Sequence, residues 1–573
     1  MSPVTRAALL AAALLSASCA RPAPPPPNPS VLLITIDTLR ADRVGCYGDR
    51  EARTPTIDAL AAAGVRFERA YTPAPLTLPA HASLFTGLLP PAHGVRGNGS
   101  FALPAGPATL AEVLRARGLA TGAFVGAFPL ARRFGLGRGF DEYDDAFARA
   151  PGLHYDFAER PGAEVVGAAR RWLERQHGPV FLWVHLFEPH APYEPPPAFR
   201  GRDPYRGEIA AADAALAPLV AAWDARAGAS LVALVSDHGE AFGEHGEESH
   251  GLFVYDVTLH VPLVLRGASL PTGARVAVPV GTSDLAATLA DAVGGTAPLP
   301  GVSLLPLARG AAVPARPLYA ETLAPRLDFG WSDLRSWRDG RYKYIRAPRP
   351  ELYDLESDPG ESHDLARERP REAAALKGAL EAAAARREAA ARRPADAEAA
   401  ERLRALGYVQ APEVEKPSGL DPKDRVEVAR AIARAAGPFA DYRAAVAAYE
   451  PIARRAPEVP VVSLRLADAL LRSGRPAAAQ PYYERVIAAG PRRADAHVGL
   501  ATALAELGRL DAARRVLEQG LAVEPQSGQV HYNLGEIARV RGRREEARAR
   551  YRAALDDAAT HERAALRLRE MGP

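Results

Sequence analysis

Two apolar stretches that each end in acidic residues decide the fold: VLLITID at residues 31–37 and LVALVSDHGE at residues 231–240. Near-continuous apolar runs of this length are typical of parallel strands that are buried on both faces. In open α/β sheets, ligands bind at the carboxyl ends of the strands, and both runs deliver carboxylates to that edge. The sequence therefore predicts a divalent-cation site that combines the side chains of Asp37, Asp237 and His238.

A threonine lies between these two runs, in the stretch APLTLPAHASLFTG at residues 74–87. The hydroxyl of Thr77 is presented on a proline-bounded turn immediately before an apolar helix. An aliphatic hydroxyl is a poor nucleophile at neutral pH, so a base or a metal ion must activate it. We predict that the cation site does so, although an acid after a strand is also typical of a helix cap and a lone histidine of a core residue.

Further apolar runs alternate with helical patterns, which favours a mainly parallel sheet covered by helices. The predicted strands are 120–124, 180–186, 231–235 and 261–265. At 573 residues the chain is too long for one ordinary core, so at least two domains are expected. The net charge of +3, from 71 basic and 68 acidic residues, gives no electrostatic reason to expect a nucleic acid partner.

Several short motifs, in this order, resemble the sulfatase and alkaline-phosphatase superfamily over roughly residues 30–375. Beyond the three stretches above, they are DTLRAD (37–42), EPHAPY (188–193), GEHGEESHG (243–251) and LYDLESDP (352–359). The resemblance implies an α/β fold, with an alkaline-phosphatase-like, mainly parallel sheet sandwiched by helices and a small C-terminal subdomain. It also implies a sulfuric or phosphoric ester hydrolase that forms a covalent threonine ester. The metal ion would then be surrounded by Asp37, Thr77, Asp237 and His238.

Position 77 departs from the sulfatases proper, which have a cysteine or serine there that is oxidised to formylglycine. They also carry an arginine where this chain has His81. Threonine cannot become an aldehyde, so no formylglycine is expected. Relatives that use threonine directly act on phosphate esters or transfer phosphoethanolamine or phosphoglycerol groups. The resemblance thus leaves two questions open: whether the substrate is a sulfate or a phosphate ester, and whether the reaction is hydrolysis or transfer. It assigns His81 to binding the anionic ester substrate.

Two further histidines match family positions that contact the anionic group or protonate the leaving oxygen. We predict that His190 and His250 bind the substrate and act as donors or general acids near neutral pH. Asn98 could donate to a substrate oxygen, although an asparagine beside glycine is also typical of a turn. His185 and His245 are at least as consistent with structural roles.

One divalent metal ion is the expected cofactor. Sulfatases proper bind Ca²⁺ through oxygen ligands alone, whereas His238 offers a nitrogen. Thr38 also stands where sulfatases usually carry a second aspartate. Both departures favour Zn²⁺ or Mn²⁺, with Ca²⁺ still open.

Residues 1–19 have the pattern of an export signal, with Arg6, a short apolar run and small residues before Cys19. The run is too short to span a bilayer, and the small residues before Cys19 resemble a bacterial lipoprotein signal. Ordinary cleavage is the alternative, because Ser16 stands where a larger aliphatic residue is usual. We expect export to the cell envelope or periplasm, with a membrane anchor if Cys19 is acylated. A proline-rich linker is expected over 20–29.

The C-terminal part repeats, because Gly474, Gly508 and Gly542 recur every 34 residues. This period resembles tetratricopeptide (TPR) repeats, whose stacked helix pairs form an all-α solenoid. The repeats are assigned to 423–573. An Ala/Glu/Arg-rich helical connector at 376–422 either spaces the domains or packs on the enzyme. We expect a protein or peptide partner on the concave surface of the repeats; the alternative is an architectural platform or a dimerisation surface.

Two other interpretations of the whole chain stay open. The first is a catalytically inactive sulfatase-fold scaffold whose TPR domain binds envelope protein partners, which the absence of bound metal would favour. The second is group transfer onto an envelope glycolipid or glycan, which predicts weak turnover with water alone.

Overall fold

The computed structural model describes residues 28–147, 160–294, 299–384, 418–435, 439, 441–491, 494–557 and 560–572. The predicted signal peptide, with Cys19, and most of the proline-rich linker lie outside these residues. So does 385–417, the larger part of the predicted connector. Within the described ranges, no helix combines the length and the apolar character needed to cross a membrane.

Nine strands form one sheet, with the two acidic stretches near its centre. In chain order they are β1 (Ser30–Ile36), β2 (Val65–Tyr71), β3 (Ala120–Val125), β4 (Glu142–Asp144), β5 (Val180–Leu186), β6 (Ser230–Ser236), β7 (His260–Gly267), β8 (Ala274–Val276) and β9 (Val280–Gly281). The order across the sheet is β4-β3-β5-β1-β6-β7-β2-β8, and β9 also pairs with β2. The neighbouring strands β4, β3, β5, β1 and β6 run parallel to one another, as predicted. The strand predicted at 261–265 is present as β7, but it runs antiparallel to both β6 and β2.

Helices cover both faces of this sheet, because alternate side chains of a strand point to opposite faces. The α-helices described up to residue 329 are α1 (Pro55–Ala62), α2 (Thr77–Thr86), α3 (Pro90–His93), α4 (Leu110–Ala116), α5 (Gly162–Glu174), α6 (Pro204–Asp224), α7 (Asp256–Leu259), α8 (Asp284–Ala292), α9 (Leu305–Ala308) and α10 (Ala324–Phe329). Leu32 and Ile34 of β1 share a buried cluster with α1, α5 and α6. Val31 and Leu33 share another with α2, α4 and α8. The sheet is therefore sandwiched by helices, as predicted.

A smaller antiparallel sheet forms the C-terminal subdomain. Its strands, in order, are β10 (Leu318–Thr322), β11 (Leu334–Asp339), β12 (Tyr342–Arg346) and β13 (Glu351–Asp354). Helix α11 (Pro370–Ala384) packs on it through Leu380, which is buried beside Tyr319, Tyr344 and Leu352. Because α11 crosses the predicted boundary after residue 375, the start of the predicted connector packs on the enzyme-like body.

The repeat region is built from antiparallel helix pairs. Its helices are α12 (Val426–Arg434), α13 (Tyr442–Arg455), α14 (Pro460–Arg472), α15 (Pro476–Ala488), α16 (Asp495–Glu506), α17 (Leu510–Val523), α18 (Gly528–Val540), α19 (Arg544–Ala553) and α20 (His561–Glu570). Gly474, Gly508 and Gly542 follow helix ends with φ of 75°, 75° and 72°, a conformation that glycine adopts without a Cβ penalty. The 34-residue period thus corresponds to one helix–turn–helix unit.

Candidate active site

Asp37, Asp237 and His238 meet at the carboxyl edge of the sheet. Strand β1 pairs with β6 so that Ile36 lies opposite Ser236, and the next residue of each strand is an aspartate. His238 Nε2 lies 3.6 Å from Asp37 Oδ1 and 3.6 Å from Asp237 Oδ2. All three side chains are almost completely shielded from solvent.

The carboxylate of Asp237 has one oxygen that is held in place and one that is not. Its Oδ1 accepts hydrogen bonds from the backbone N–H of Thr38 at 3.2 Å and of His238 at 2.8 Å. Asp237 Oδ2, both carboxylate oxygens of Asp37, and His238 Nε2 are buried and have no hydrogen-bond partner among the described residues. Burying a polar atom without a hydrogen-bond partner costs roughly 1–3 kcal/mol of folding free energy. Four such atoms in one place therefore indicate a ligand-binding site.

These atoms fit a divalent cation. Their separations of 3.6 Å are too long for hydrogen bonds but close to the roughly 3.4 Å between two ligands of a tetrahedral ion with bonds of about 2.1 Å. Burial raises the pKa of Asp37 and of Asp237, and a divalent cation would offset both negative charges. Two carboxylates and one imidazole are thus a candidate ligand set for one divalent cation.

Thr77 is the first residue of α2 and is fully buried. This position puts its hydroxyl at the positive end of a ten-residue helix, where a developing negative charge is stabilised. The N–H of Leu78 donates to Asn98 Oδ1 at 2.9 Å, which ties the glycine-rich loop to the start of α2. Asn98 Nδ2 is buried without a partner in the described part of the chain, so it can still serve as a donor.

His81, predicted to bind substrate, lies buried against Thr77 at the start of α2. Its Nδ1 lies 2.8 Å from the carbonyl oxygen of Thr77, and its Nε2 lies 3.1 Å from Thr35 Oγ1. Thr35 Oγ1 also accepts from Trp183 Nε1 at 2.9 Å, so the threonine proton points to His81 Nε2 and Nδ1 carries the ring proton. Burial lowers the pKa of His81 to about 3, which keeps the ring neutral. Both ring nitrogens thus have partners inside the protein, and the substrate contact of His81 stays a prediction.

His250 is held by a carboxylate that the sequence analysis did not select. Its Nδ1 lies 3.0 Å from Glu240 Oε1, and the hydroxyl of Tyr193 donates to Glu240 Oε2 at 2.8 Å. Burial opposes the ionisation of Glu240, but the neighbouring His250 lowers its pKa below the usual value. The rings of His250 and His238 have centroids 4.4 Å apart, so His250 borders the candidate metal site.

His190 lies beside His250, with ring centroids 5.2 Å apart and ring planes at 72°. Its Nδ1 donates to the carbonyl oxygen of Ala191 at 2.7 Å, and its ring stacks on Phe187. Burial lowers the pKa of His190 and of His250, against the opposing charges of nearby carboxylates. The structure therefore brings both histidines to the edge where the metal candidates lie. His245 lies in the segment between β6 and α7, and its ring stacks on Tyr255 with centroids 3.6 Å apart.

His185 is, after Glu240, another residue of the candidate site that the sequence analysis did not select. Strand β5 pairs with β1 so that His185 lies opposite Thr35, and His185 Nε2 lies 3.5 Å from Asp37 Oδ2. The side chain is fully buried, and neither ring nitrogen has a hydrogen-bond partner within the described ranges. Burial lowers the pKa of His185 to about 4, so the ring is neutral. A histidine inside an apolar strand resembles a core residue, and only the strand order reveals its contact with Asp37.

His81, His185 and Asp237 form another group whose donor atoms lie close together. Both nitrogens of His81 are already hydrogen-bonded, so this group offers only two unengaged side chains. Asp37, Asp237 and His238 are therefore the better site for one ion.

The sulfatase family model matches residues 29–295, and a tetratricopeptide repeat model matches residues 470–537. Steryl-sulfatase of Mus musculus is 38% identical over 134 residues, which are 22% of this chain and 21% of that protein. The chain thus spans about a fifth of the length of the first curated relatives that it matches. The uncharacterized sulfatase YidJ of Escherichia coli (strain K12) is 27% identical over 423 residues, which are 59% of this chain and 83% of that protein.

The crystal structure of the phosphonate monoester hydrolase of Agrobacterium radiobacter shares the fold, with a TM-score of 0.52 and 24% identity. The alignment covers 62% of this chain and 96% of that one. Together with the two family matches, this likeness confirms the predicted resemblance. The chain has a sulfatase-like α/β fold that is followed by tetratricopeptide repeats.

Proposed function

We propose that this chain is a metal-dependent enzyme that cleaves or transfers a sulfate or phosphate ester through a covalent ester of Thr77. One observation supports the proposal most directly. His81 Nδ1 lies 2.8 Å from the carbonyl oxygen of Thr77 and 3.6 Å from Asp237 Oδ2. One buried ring therefore lies beside both the residue with the nucleophilic hydroxyl and a candidate ligand of the ion.

Asp37, Asp237 and His238 would hold the ion, with the hydroxyl of Thr77 beside them. A bound divalent cation supplies Lewis acidity, which lowers the pKa of a nearby hydroxyl and offsets negative charge on the transferring group. The N-terminus of α2 adds its positive dipole at the same point. Asn98, held by its contact with Leu78, supplies a further hydrogen-bond donor through Nδ2.

The reaction then divides into two displacements. In the first, the Thr77 hydroxyl loses its proton to solvent, its oxygen attacks the sulfur or phosphorus atom, and the bond from that atom to the leaving oxygen breaks. The leaving oxygen takes a proton, for which protonated His190 or His250 is the donor. In the second, water or an acceptor alcohol loses its proton to the same histidine and attacks the same sulfur or phosphorus atom, and the bond from that atom to the Thr77 oxygen breaks.

Glu240 orients His250 for the role of proton donor and acceptor. An ionised carboxylate that accepts from Nδ1–H fixes the orientation and the tautomer of the ring, so the reacting proton is exchanged at Nε2. The carboxylate also stabilises the imidazolium that forms when the ring takes a proton. His250 is therefore the better candidate for the general acid and base, and His190 for contact with the anionic group.

The site residues alone are compatible with both a sulfate and a phosphate ester as the substrate. Thr77 excludes formylglycine chemistry, which favours phosphate esters, whereas several relatives are named sulfatases. A direct comparison uses matched aryl sulfate, phosphate monoester and phosphodiester substrates with full-length protein. Metal-stripped protein is refilled separately with Ca²⁺, Mn²⁺ or Zn²⁺. Thr77→Ala removes the nucleophile, and Thr77→Ser, which keeps a hydroxyl, is its matched control.

Turnover of one ester class that requires a metal ion, disappears in Thr77→Ala and persists in Thr77→Ser would support the proposal. Protein that binds no ion and turns over no ester would favour an inactive scaffold. Protein that binds the ion but turns over only with an added acceptor alcohol would favour group transfer.

From the repeats, we also infer that a protein or peptide partner binds their concave surface. From the pattern of residues 1–19, we infer export and lipid anchoring, with Cys19 as the acylated residue. Cys19→Ser tests the anchor. The wild-type protein is expected in the membrane fraction with a lipid-modified Cys19 in its mass spectrum, and the variant is expected outside that fraction. An unmodified wild-type N-terminus would contradict the anchor and leave the enzymatic proposal untouched.

A further inference from the structure

A loop at the candidate site touches the first helix of the repeat region. Residues 241–251 follow β6, and the tip of this loop lies against α12. Arg430 Nε donates to the carbonyl oxygen of Gly246 at 2.9 Å. The carboxylate of Glu248 lies 3.3 Å from Arg430 Nε and 3.1 Å from Arg434 Nη2. Arg430 therefore contacts Gly246 and Glu248 of the loop tip, and Arg434 contacts Glu248.

The packing between the loop and α12 is close as well as polar. Gly246 has φ of +83°, and a Cβ at this position would lie 2.8 Å from Val426 Cγ1. Behind the tip, residues 252–255 share one buried apolar cluster with Val428 and Ile432 of α12. The helix and the loop thus form a single packed unit.

The same loop carries His250, so a displacement of its tip reaches the candidate active site. The N–H of Ala241 donates to the carbonyl oxygen of Ser249 at 2.8 Å, which closes the loop at its base. His250 follows directly, and its Nδ1 lies 3.0 Å from Glu240 Oε1. The contacts that α12 makes at positions 246 and 248 are only four and two residues from this histidine.

We propose that α12 positions His250, so that the first helix of the repeats is a structural part of the active site. The inference rests on the function proposed above for His250. Arg430 is the main positioning residue, because its side chain is 25% exposed and its Nε binds a backbone carbonyl of the loop. Arg434 is 73% exposed and pairs with the carboxylate of Glu248, an exposed pairing that contributes little.

Arg430→Ala in the full-length protein tests the inference by hydrogen–deuterium exchange and by steady-state kinetics. We expect faster exchange of the amides at 241–251 and a fall in kcat of about tenfold or more, with KM and metal content unchanged. Arg430→Lys keeps a charged donor for Gly246 and is expected to recover part of kcat. Arg539→Ala is the matched control, because Arg539 pairs with Glu536 inside the repeats and its loss should change neither measurement.

Loop exchange that stays at the wild-type rate in Arg430→Ala would overturn the inference, and so would faster exchange with unchanged kcat. If Arg430→Ala raises exchange throughout the repeats, Arg430→Met replaces it, because methionine keeps the apolar stem packed while it removes the donor. Wild-type protein that turns over no ester would defeat the proposed function. The exchange result alone then decides whether α12 holds the loop.

Discussion

Nδ1 of His250 lies 3.0 Å from Oε1 of the buried Glu240, whose other carboxylate oxygen accepts from the hydroxyl of Tyr193 at 2.8 Å. A carboxylate that is bonded at both oxygens cannot rotate freely, so it fixes the plane of the imidazole that it contacts. The ring of His250 is thereby held beside His238, with centroids 4.4 Å apart. The candidate acid–base residue and the candidate metal ligand thus share one buried polar network.

Glu240→Gln is expected to lower kcat by about tenfold to a hundredfold, because a neutral amide orients the ring without stabilising its positive charge. The charge of Glu240 raises the pKa of His250 against the effect of burial. Its removal therefore moves the limb of the kcat profile that His250 governs to lower pH. Tyr193→Phe is the control, since it removes a hydrogen bond and leaves the charge in place. A Glu240→Gln profile that superimposes on that of the wild type would contradict this role.

Asp37→Asn is expected to reduce the bound metal below that of the wild type and to make the metal-free protein more stable. The variant replaces a buried carboxylate, whose oxygens have no partner in the described part of the chain, by a neutral amide. Thermal unfolding with and without the ion measures the effect, because an ion that binds only the folded state raises the midpoint. The wild type should gain stability on addition of metal and the variant should not. Asp224→Asn, at the exposed pair with Arg266, is the control, and an equal gain in all three proteins would argue against Asp37 as a ligand.

The centre of the site could be predicted from the sequence because parallel strands deliver their carboxyl ends to one edge. Asp37 and Asp237 follow two apolar runs, and the pairing of β1 with β6 places them side by side. The direction of β7 could not be predicted, because a run of apolar residues is the same pattern in either direction.

Contacts that depend on a neighbour from another strand or loop could not be predicted from the sequence. His185 is part of the site only because β5 pairs with β1, and Glu240 only because the loop returns His250 to it. The contact of His81 with Thr35, which itself accepts from Trp183, could not be predicted, since these residues belong to two different strands. Period and motif order contain no information about such pairings.

His185→Leu is expected to leave the metal-free protein at least as stable as the wild type and to weaken metal binding by about tenfold or more. Leucine fills a similar volume and leaves no buried ring nitrogen unpaired, which favours the folded state. The loss of a nitrogen 3.5 Å from Asp37 Oδ2 removes a group that can orient that carboxylate. Competition against a chromophoric chelator measures the affinity, with His497→Leu, a buried histidine of the repeats, as the matched change elsewhere. Equal affinities in all three proteins would leave His185 with a packing role only.

The stability of the protein should also depend on the protonation of Glu247. Burial raises the pKa of Glu247 to about 8, although Oε1 accepts from the backbone N–H of Leu252 at 2.6 Å. In the unfolded chain a glutamic acid titrates near about 4.3, so between these two values only the folded state keeps the proton. The contribution of this group is therefore fully present below about pH 4.3 and is lost by about 1.4 kcal/mol per pH unit as the pH rises toward 8.

Glu247→Gln keeps an acceptor for Leu252 and has no proton to lose, so it removes this pH dependence. Denaturant unfolding at about pH 4 and about pH 8 is expected to give similar free energies of unfolding for the two proteins at the lower value. At the higher value the variant should be the more stable one. Glu356→Gln, with a side chain that is 66% exposed, should follow the wild type at both values. A stability difference between Glu247→Gln and the wild type that does not grow with pH would show that this carboxyl is already ionised in the folded protein.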